Sequence, residues 1–416
     1  MAGIQTTKAN GRLGALRMRS VARVRSAALA TAVALLAAGS ATAEVDRAAA
    51  LADMREIYAS IATLLPLSVD DKAFRAPQER EEIRAALTRL AGLADHVGSH
   101  VAGDDRRVRF LATSLSRETK EARVRFEEGR LESAQFLVRR LTDFCVACHT
   151  RIPAASDSPL SRGFVSDTAL AKLPAASRAS IEVATRRFDD ALGTYEALFA
   201  SKRTQPAELL APLSEYLRVC IRVKNDLERP RPVLRKFAAR PDLWKILRED
   251  VEDWLAALDR YVAKPHAAPS IAAARAKIDE AERLLRFPTD RRGLVQQLIA
   301  SSELHRYLEG RSGQSGRDIA EAYYLLGVIE SRTNFNYLVS ESEFYLETAI
   351  RLAPGDPIGQ RAFDLLEEET VLGWTGSGGS NMPADVRRNL DSLRDLVDQA
   401  EGKQKAPGGG STDSGP

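Results

Sequence analysis

Cysteine is nearly absent from this chain. Three thiols in 416 residues are too few for a disulfide framework at this length. Aromatic residues make up 6% of the sequence and β-branched residues are sparse, which removes the usual material of strands. Leu, Ala, Arg and Glu dominate instead, so the composition predicts a nearly all-helical protein. Beyond residue 38 no apolar run approaches the roughly 20 residues that span a bilayer. A glycine-rich phosphate loop, a nucleophile–base constellation and an acid pair of preferred geometry are all missing, so the chain does not read as an enzyme. Charge of one sign is missing too. Of 60 Lys and Arg and 57 Asp and Glu, six basic residues and no acids fall within 1–43, which leaves the rest at a net −3. The basic excess belongs to that segment and gives no argument for nucleic acid as a partner.

Residues 1–43 have the layout of an export signal. Lys8, Arg12, Arg17, Arg19, Arg23 and Arg25 form a basic region, Ala27 to Ala38 a short apolar one, and Ala41-Thr42-Ala43 a small-residue cleavage site. An uncleaved anchor is the alternative, but the apolar stretch is short and alanine-rich for a span. The expectation is a periplasmic chain cleaved near Ala43, starting at Glu44, with no integral membrane segment afterwards.

Two of the three thiols stand together in Phe144-Cys145-Val146-Ala147-Cys148-His149. The spacing C-x-x-C-H is that of haem c attachment. Thiols three positions apart on a helical turn each reach one porphyrin vinyl group, and the following imidazole becomes the proximal iron ligand. A thioredoxin-like pair would need a β-α-β setting, whereas these flanks read as helix, and a zinc site would need a second ligand pair at short spacing. The reading is one covalently bound haem c held by Cys145, Cys148 and His149. The third thiol, Cys220, sits in the apolar run 216–221 and reads as a buried small hydrophobe.

Around this motif, residues 44–153 divide into four amphipathic stripes. They are Leu51, Met54, Tyr58, Ile61 and Leu65; Ile83, Leu87, Leu90, Ala94 and Val97; Val108, Leu111, Leu115, Ala122 and Phe126; and Leu131, Ala134, Leu137, Leu141 and Phe144. Gly129 fits a helix C-terminus and Pro153 a stop. Four such helices with short connections predict an up-and-down four-helix bundle. With C-x-x-C-H at the end of the last helix, this quarter of the chain resembles the class II c-type cytochromes, the cytochrome c′ type. The resemblance implies thioether bonds from Cys145 and Cys148 and a proximal ligand from His149. In low-spin members a methionine of the first helix is the distal ligand, which singles out Met54. His96 and His100, one turn apart on the second helix, are the competing ligands, and a five-coordinate iron with Met54 packed nearby is the third case.

Ala154 to Arg162 reads as a linker, and 163–372 as paired helices. Ile181 to Phe199 carries one stripe; Pro206 opens the next helix; Pro230 and Pro232 break the chain; Asp242 is a candidate cap for a helix through Leu258. Tyr323, Leu326 and Gly327, followed by Ala349 and Pro354, resemble a tetratricopeptide repeat with a small insertion, against an irregular helical domain as the alternative. Residues 373–383 read as a second linker, 384–401 as a terminal helix and 402–416 as a disordered tail. The fold class expected is all-α: a four-helix haem domain followed by an α-solenoid, with the haem unit and the solenoid separable at the first linker.

Three functions fit this sequence. The first is a periplasmic monohaem electron-transfer protein whose repeat region docks a redox partner or assembly. The second is a gas-binding sensor with an open iron, and the third a scaffold with a structural haem.

Overall fold

The computed structural model describes residues 49, 51–97, 106–150, 170–263, 268–287, 290–309, 311, 316–333 and 341–405. The expected export signal 1–43, Pro153, the expected linker 154–162 and residues 406–416 lie outside this range. Among the described residues no helix is long and apolar enough to cross a membrane.

The described chain is all-α apart from one small hairpin. Helix α1 covers 51–69. It is followed by α2 (Asp71–Arg75), a 3-10 turn (Pro77–Glu79), α3 (Arg80–Val97), α4 (Arg106–Glu127), α5 (Leu131–Arg140) and α6 (Thr142–His149). Asp70 caps α2 through hydrogen bonds from the Lys72 and Ala73 amides. Gly129, at φ +77°, closes α4 with the Arg130 amide reaching back to the Arg125 carbonyl, as only a left-handed residue permits. The apolar stripes meet in one core containing Ile57, Ile61, Leu87, Leu115, Phe126 and Phe144. Phe74 meets Phe126 edge to face there, at 5.7 Å between centroids. The fourth stripe is not one helix. It breaks at Leu141, the cap shared by α5 and α6, so the motif has a short helix of its own.

The remaining helices are α7 (Ala175–Ala184), α8 (Phe188–Ala200), α9 (Leu210–Arg218), α10 (Pro230–Ala238), α11 (Lys245–Val262), α12 (Ile271–Leu284), α13 (Leu294–Glu309), α14 (Arg317–Thr333), α15 (Glu341–Leu352), α16 (Pro357–Gly373) and α17 (Ala384–Lys405). Several expectations change in detail. Ile181 to Phe199 is two helices, because the chain turns at 185–187. Pro230 opens α10 from its first position, where its missing N–H has no helical partner to lose. Asp242 does not cap α11; it pairs with Arg240 at 2.7 Å. The second linker holds a hairpin, Thr375–Gly376 against Gly379–Ser380, and α17 continues through 402–405.

The second core gathers Val183, Leu192, Tyr195, Leu213, Leu217 and Trp254 with Cys220, which is fully buried. Between Val219 and Val223 the chain forms a π turn with all five residues buried. This widened turn sends Arg222 inward. Its guanidinium meets Glu330 at 2.9 Å, both side chains 1% exposed, and donates to His305 Nε2 at 3.1 Å. Since guanidinium only donates, His305 accepts at Nε2 and carries its proton on Nδ1.

The C-terminal helices pair in sequence, α14 with α15 and α15 with α16. Gly327 is the point of closest approach: a Cβ there would lie 2.5 Å from Leu346 Cδ2. Gly327→Val should cost about 1–3 kcal/mol by overpacking. Gly193→Ala, on α8 where a Cβ meets nothing within 4 Å, should instead stabilise by up to about 1 kcal/mol. Urea unfolding of both variants checks this contrast, and equal effects would refute it. Phe110 of α4 also packs against Phe344 of α15, at 5.6 Å between ring centroids.

Candidate functional site

Positions 145, 148 and 149 fall on α6 at one-turn spacing, so the two thiols and the imidazole are presented together. Cys145 and Cys148 are free thiols, half-buried at the edge of the first core. Burial, with help from Cys148 and Asp143, pushes the Cys145 thiol up to about 12. That is the opposite of the lowered thiol of a redox C-x-x-C pair. Among the described residues no three Cys, His, Asp or Glu side chains gather closely enough to hold a metal ion.

His149 is positioned from outside the first stripe set. Helix α7 ends at Ala184, and the chain leaves it through Arg186 at φ +59°. The amides of Thr185, Arg186 and Arg187 go back to the carbonyls of Ile181, Val183 and Glu182, at 2.8, 2.9 and 2.7 Å. The Ala184 carbonyl is passed over by that turn, as a helix-end carbonyl commonly is. It accepts instead from His149 Nδ1 at 2.6 Å. A carbonyl only accepts, so Nδ1 carries the proton and Nε2 keeps its lone pair. Burial, reinforced by Arg186, brings the imidazole down to about 4 against the opposing pull of this hydrogen bond. The ring is therefore neutral around pH 7, the form that ligates iron. A carbonyl fixing the tautomer of a ligating histidine is the usual arrangement behind a metal.

Met54 and Tyr58, one turn apart on α1, are half-buried against the same core as both thiols. The core is thus common to three of the four expected site residues, while His149 is fixed by the helix beyond the linker. His96 lies on an exposed face of α3, and His100 lies outside the described residues. The donor set fits a haem c: two thiols on one helix face, a neutral imidazole with its proton on Nδ1, and a thioether on the same apolar core.

The Ala184 anchor was not readable in the sequence. Arg186 takes a left-handed conformation that glycine or asparagine usually supplies, so Ala184-Thr185-Arg186-Arg187 gives no helix-end signal. The reverse face of α6 was missed as well. There Asp143 pairs with Arg140 at 2.8 Å, and burial raises its carboxyl to about 7. Val146, between the thiols in sequence, belongs to the second core. Leu170 and Ile181, beyond the linker, belong to the first. Helix α6 therefore stands between both cores. Compared with protein-family models, curated proteins and solved structures, the chain matches none.

Proposed function

We propose that this protein is an exported, periplasmic monohaem c-type cytochrome that transfers electrons and is not an enzyme. Its residues 44–153 would form a class II, cytochrome c′-type four-helix unit, and 163–372 a TPR-like helical region that docks a redox partner or assembly. The observation that carries this reading is His149 Nδ1 on the Ala184 carbonyl at 2.6 Å, one residue after the C-x-x-C pair. Neither a redox dithiol nor a chance pair of cysteines requires the next imidazole to be oriented.

In this reading Cys145 and Cys148 would hold the haem through thioethers, the S–H of each adding across a vinyl group so that no oxidant would be consumed. His149 would hold the iron through Nε2, its ring fixed by the Ala184 carbonyl, and Met54, on the same apolar core as the thiols, would supply a second ligand from α1. The haem supplies a one-electron iron couple whose potential depends on those axial ligands and on burial. Two protein ligands on the iron would favour electron transfer over substrate binding.

Optical spectra of haem-loaded wild type and Met54→Ala test the ligand set. Wild type should be low-spin and unreactive to CO in the ferrous state. Met54→Ala should become high-spin and take up CO. Identical spectra for the two proteins would remove Met54 from the iron, and a wild type already open to CO would turn the reading toward a gas sensor.

A further inference from the structure

One face of the helical region is built from three turns that arginines tie together. Arg240, beyond α10, donates to the Ser201 and Thr204 carbonyls of the turn after α8, at 3.0 Å each. Arg248 of α11 donates to the Ala238 carbonyl and, at 2.9 Å, to that of Arg240. Next to it, Glu249 accepts at 2.7 Å from Arg286, in the turn after α12. Turns braced in this way hold their outward side chains in place before anything binds.

Three large apolar side chains stand in solvent on this face: Trp244, Ile246 and Phe287, each between 38% and 47% exposed. Trp244 directly precedes α11, and its carbonyl accepts from the Arg248 amide at 3.1 Å. Ile246 shares a side of α11 with Glu249 and Asp250. Arg286 bonds to both of these acids, and Phe287 follows it. Cations surround the three. Segments 199–208 and 236–249 carry Lys202, Arg203, Lys236, Arg240, Lys245 and Arg248 against Glu208, Asp242 and Glu249. That local excess is positive in a chain whose net charge beyond residue 43 is −3. Lys202, Arg203 and Lys236 are exposed, and among the described residues no carboxylate lies within ion-pair distance of them. Lys245 reaches Glu249 at 3.8 Å while its own side chain stays 88% exposed.

We infer that this face binds peripherally to an anionic lipid surface. Trp244, Ile246 and Phe287 enter the headgroup layer, and Lys202, Arg203, Lys236 and Lys245 meet lipid phosphates. Exposed apolar side chains rimmed by charge mark a contact with protein or membrane. The chemistry favours lipid. An indole is at home at headgroup depth, where its ring is covered and its N–H stays wet. Lysine stems lie along the apolar boundary while their ammonium groups reach the phosphates. Single apolar side chains on separate turns suit a fluid surface, whereas a protein partner would need a matching shape. The inference rests on this face alone and not on the haem reading.

Co-sedimentation of the full-length protein with lipid vesicles tests it. Vesicles of about one part phosphatidylglycerol to two parts phosphatidylcholine should carry the protein down, and about 0.5 M salt should release most of it. Pure phosphatidylcholine vesicles should leave it in solution. Trp244→Ser combined with Ile246→Ser should weaken binding about tenfold or more, and so should Lys236→Glu combined with Lys245→Glu. Both double variants should keep the wild-type melting temperature, because all four side chains are exposed. Trp374→Ser, at the other exposed tryptophan, should bind as wild type does. Wild type that ignores anionic vesicles overturns the inference and leaves the face to an acidic protein. Equal binding to neutral vesicles also overturns it. So does wild-type binding by both double variants, the result expected if the basic segment 1–43 alone held the vesicles.

Discussion

Replacing both Cys145 and Cys148 with alanine is expected to abolish all haem that stays with the chain through a denaturing gel. Each single replacement should leave a smaller covalently stained fraction. The size of the effect follows from bond type: a thioether survives denaturation, while an axial bond from His149 or Met54 depends on the folded core. The wild-type protein, made with an export and haem-ligation system, should keep its pigment through acid extraction and heat. Loss of all pigment from wild type under those conditions would end the c-type reading. Pigment retained by the double variant would place the attachment elsewhere.

The second large effect concerns where the proposed haem unit ends. On the sequence alone, residues 44–155 form a complete bundle and 160–400 a colourless helical remainder. The packing changes the expected outcome. Leu170 and Ile181 are buried in the same core as Phe144 and Ala147, and His149 depends on Ala184. Burying two large aliphatic side chains is worth about 1.5–3 kcal/mol each, and the hydrogen bond about 1 kcal/mol more. A loss of that size consumes much of the roughly 5–15 kcal/mol by which a domain is stable. A fragment of residues 44–155 should therefore be poorly folded or spectrally altered, and one of residues 44–200 should reproduce the full-length spectrum. Matching spectra and melting temperatures for the short fragment and the full chain would restore the boundary at 154–162.

What the sequence made legible was periodic or chemically specific. Leu87, Leu90, Leu115 and Phe126 recur at helical spacing and are buried, and Gly129 closes α4 where a left-handed residue was expected. Gly327 allows α14 and α15 to approach, as its repeat-like context implies. The motif put Cys145, Cys148 and His149 on one helix without any structural help. Other features depended on tertiary choice. The break at Leu141 has no proline or glycine to announce it, and the stripe continues smoothly across it. The turn at Arg186 uses a residue that local propensity disfavours. Pro230 was read as a breaker, although proline equally well opens a helix. Asp242 had two possible roles, and the nearby Arg240 guanidinium took it before the amides of α11. Helix α16 went unread, although Asp356 caps it and Pro357 opens it.

The contact of Phe110 with Phe344 has a bearing on how the molecule assembles. Among the described residues the most extensive helix pairings, such as α3 with α4 and α14 with α15, join neighbours along the chain, while the Arg222–Glu330 pair already spans 108 positions. The Phe110–Phe344 contact joins positions separated by more than half the sequence. The entropy of closing such a loop grows only with the logarithm of its length, about 2 kcal/mol for each tenfold increase. One aromatic pair, with Arg109, Glu347 and Arg351 around it, is thus a sufficient clasp, and one that needs both ends of the array already in place. A clasp with so little area would let α4 and α15 separate at small cost while the neighbouring helix pairs stay packed, a way to loosen without unfolding.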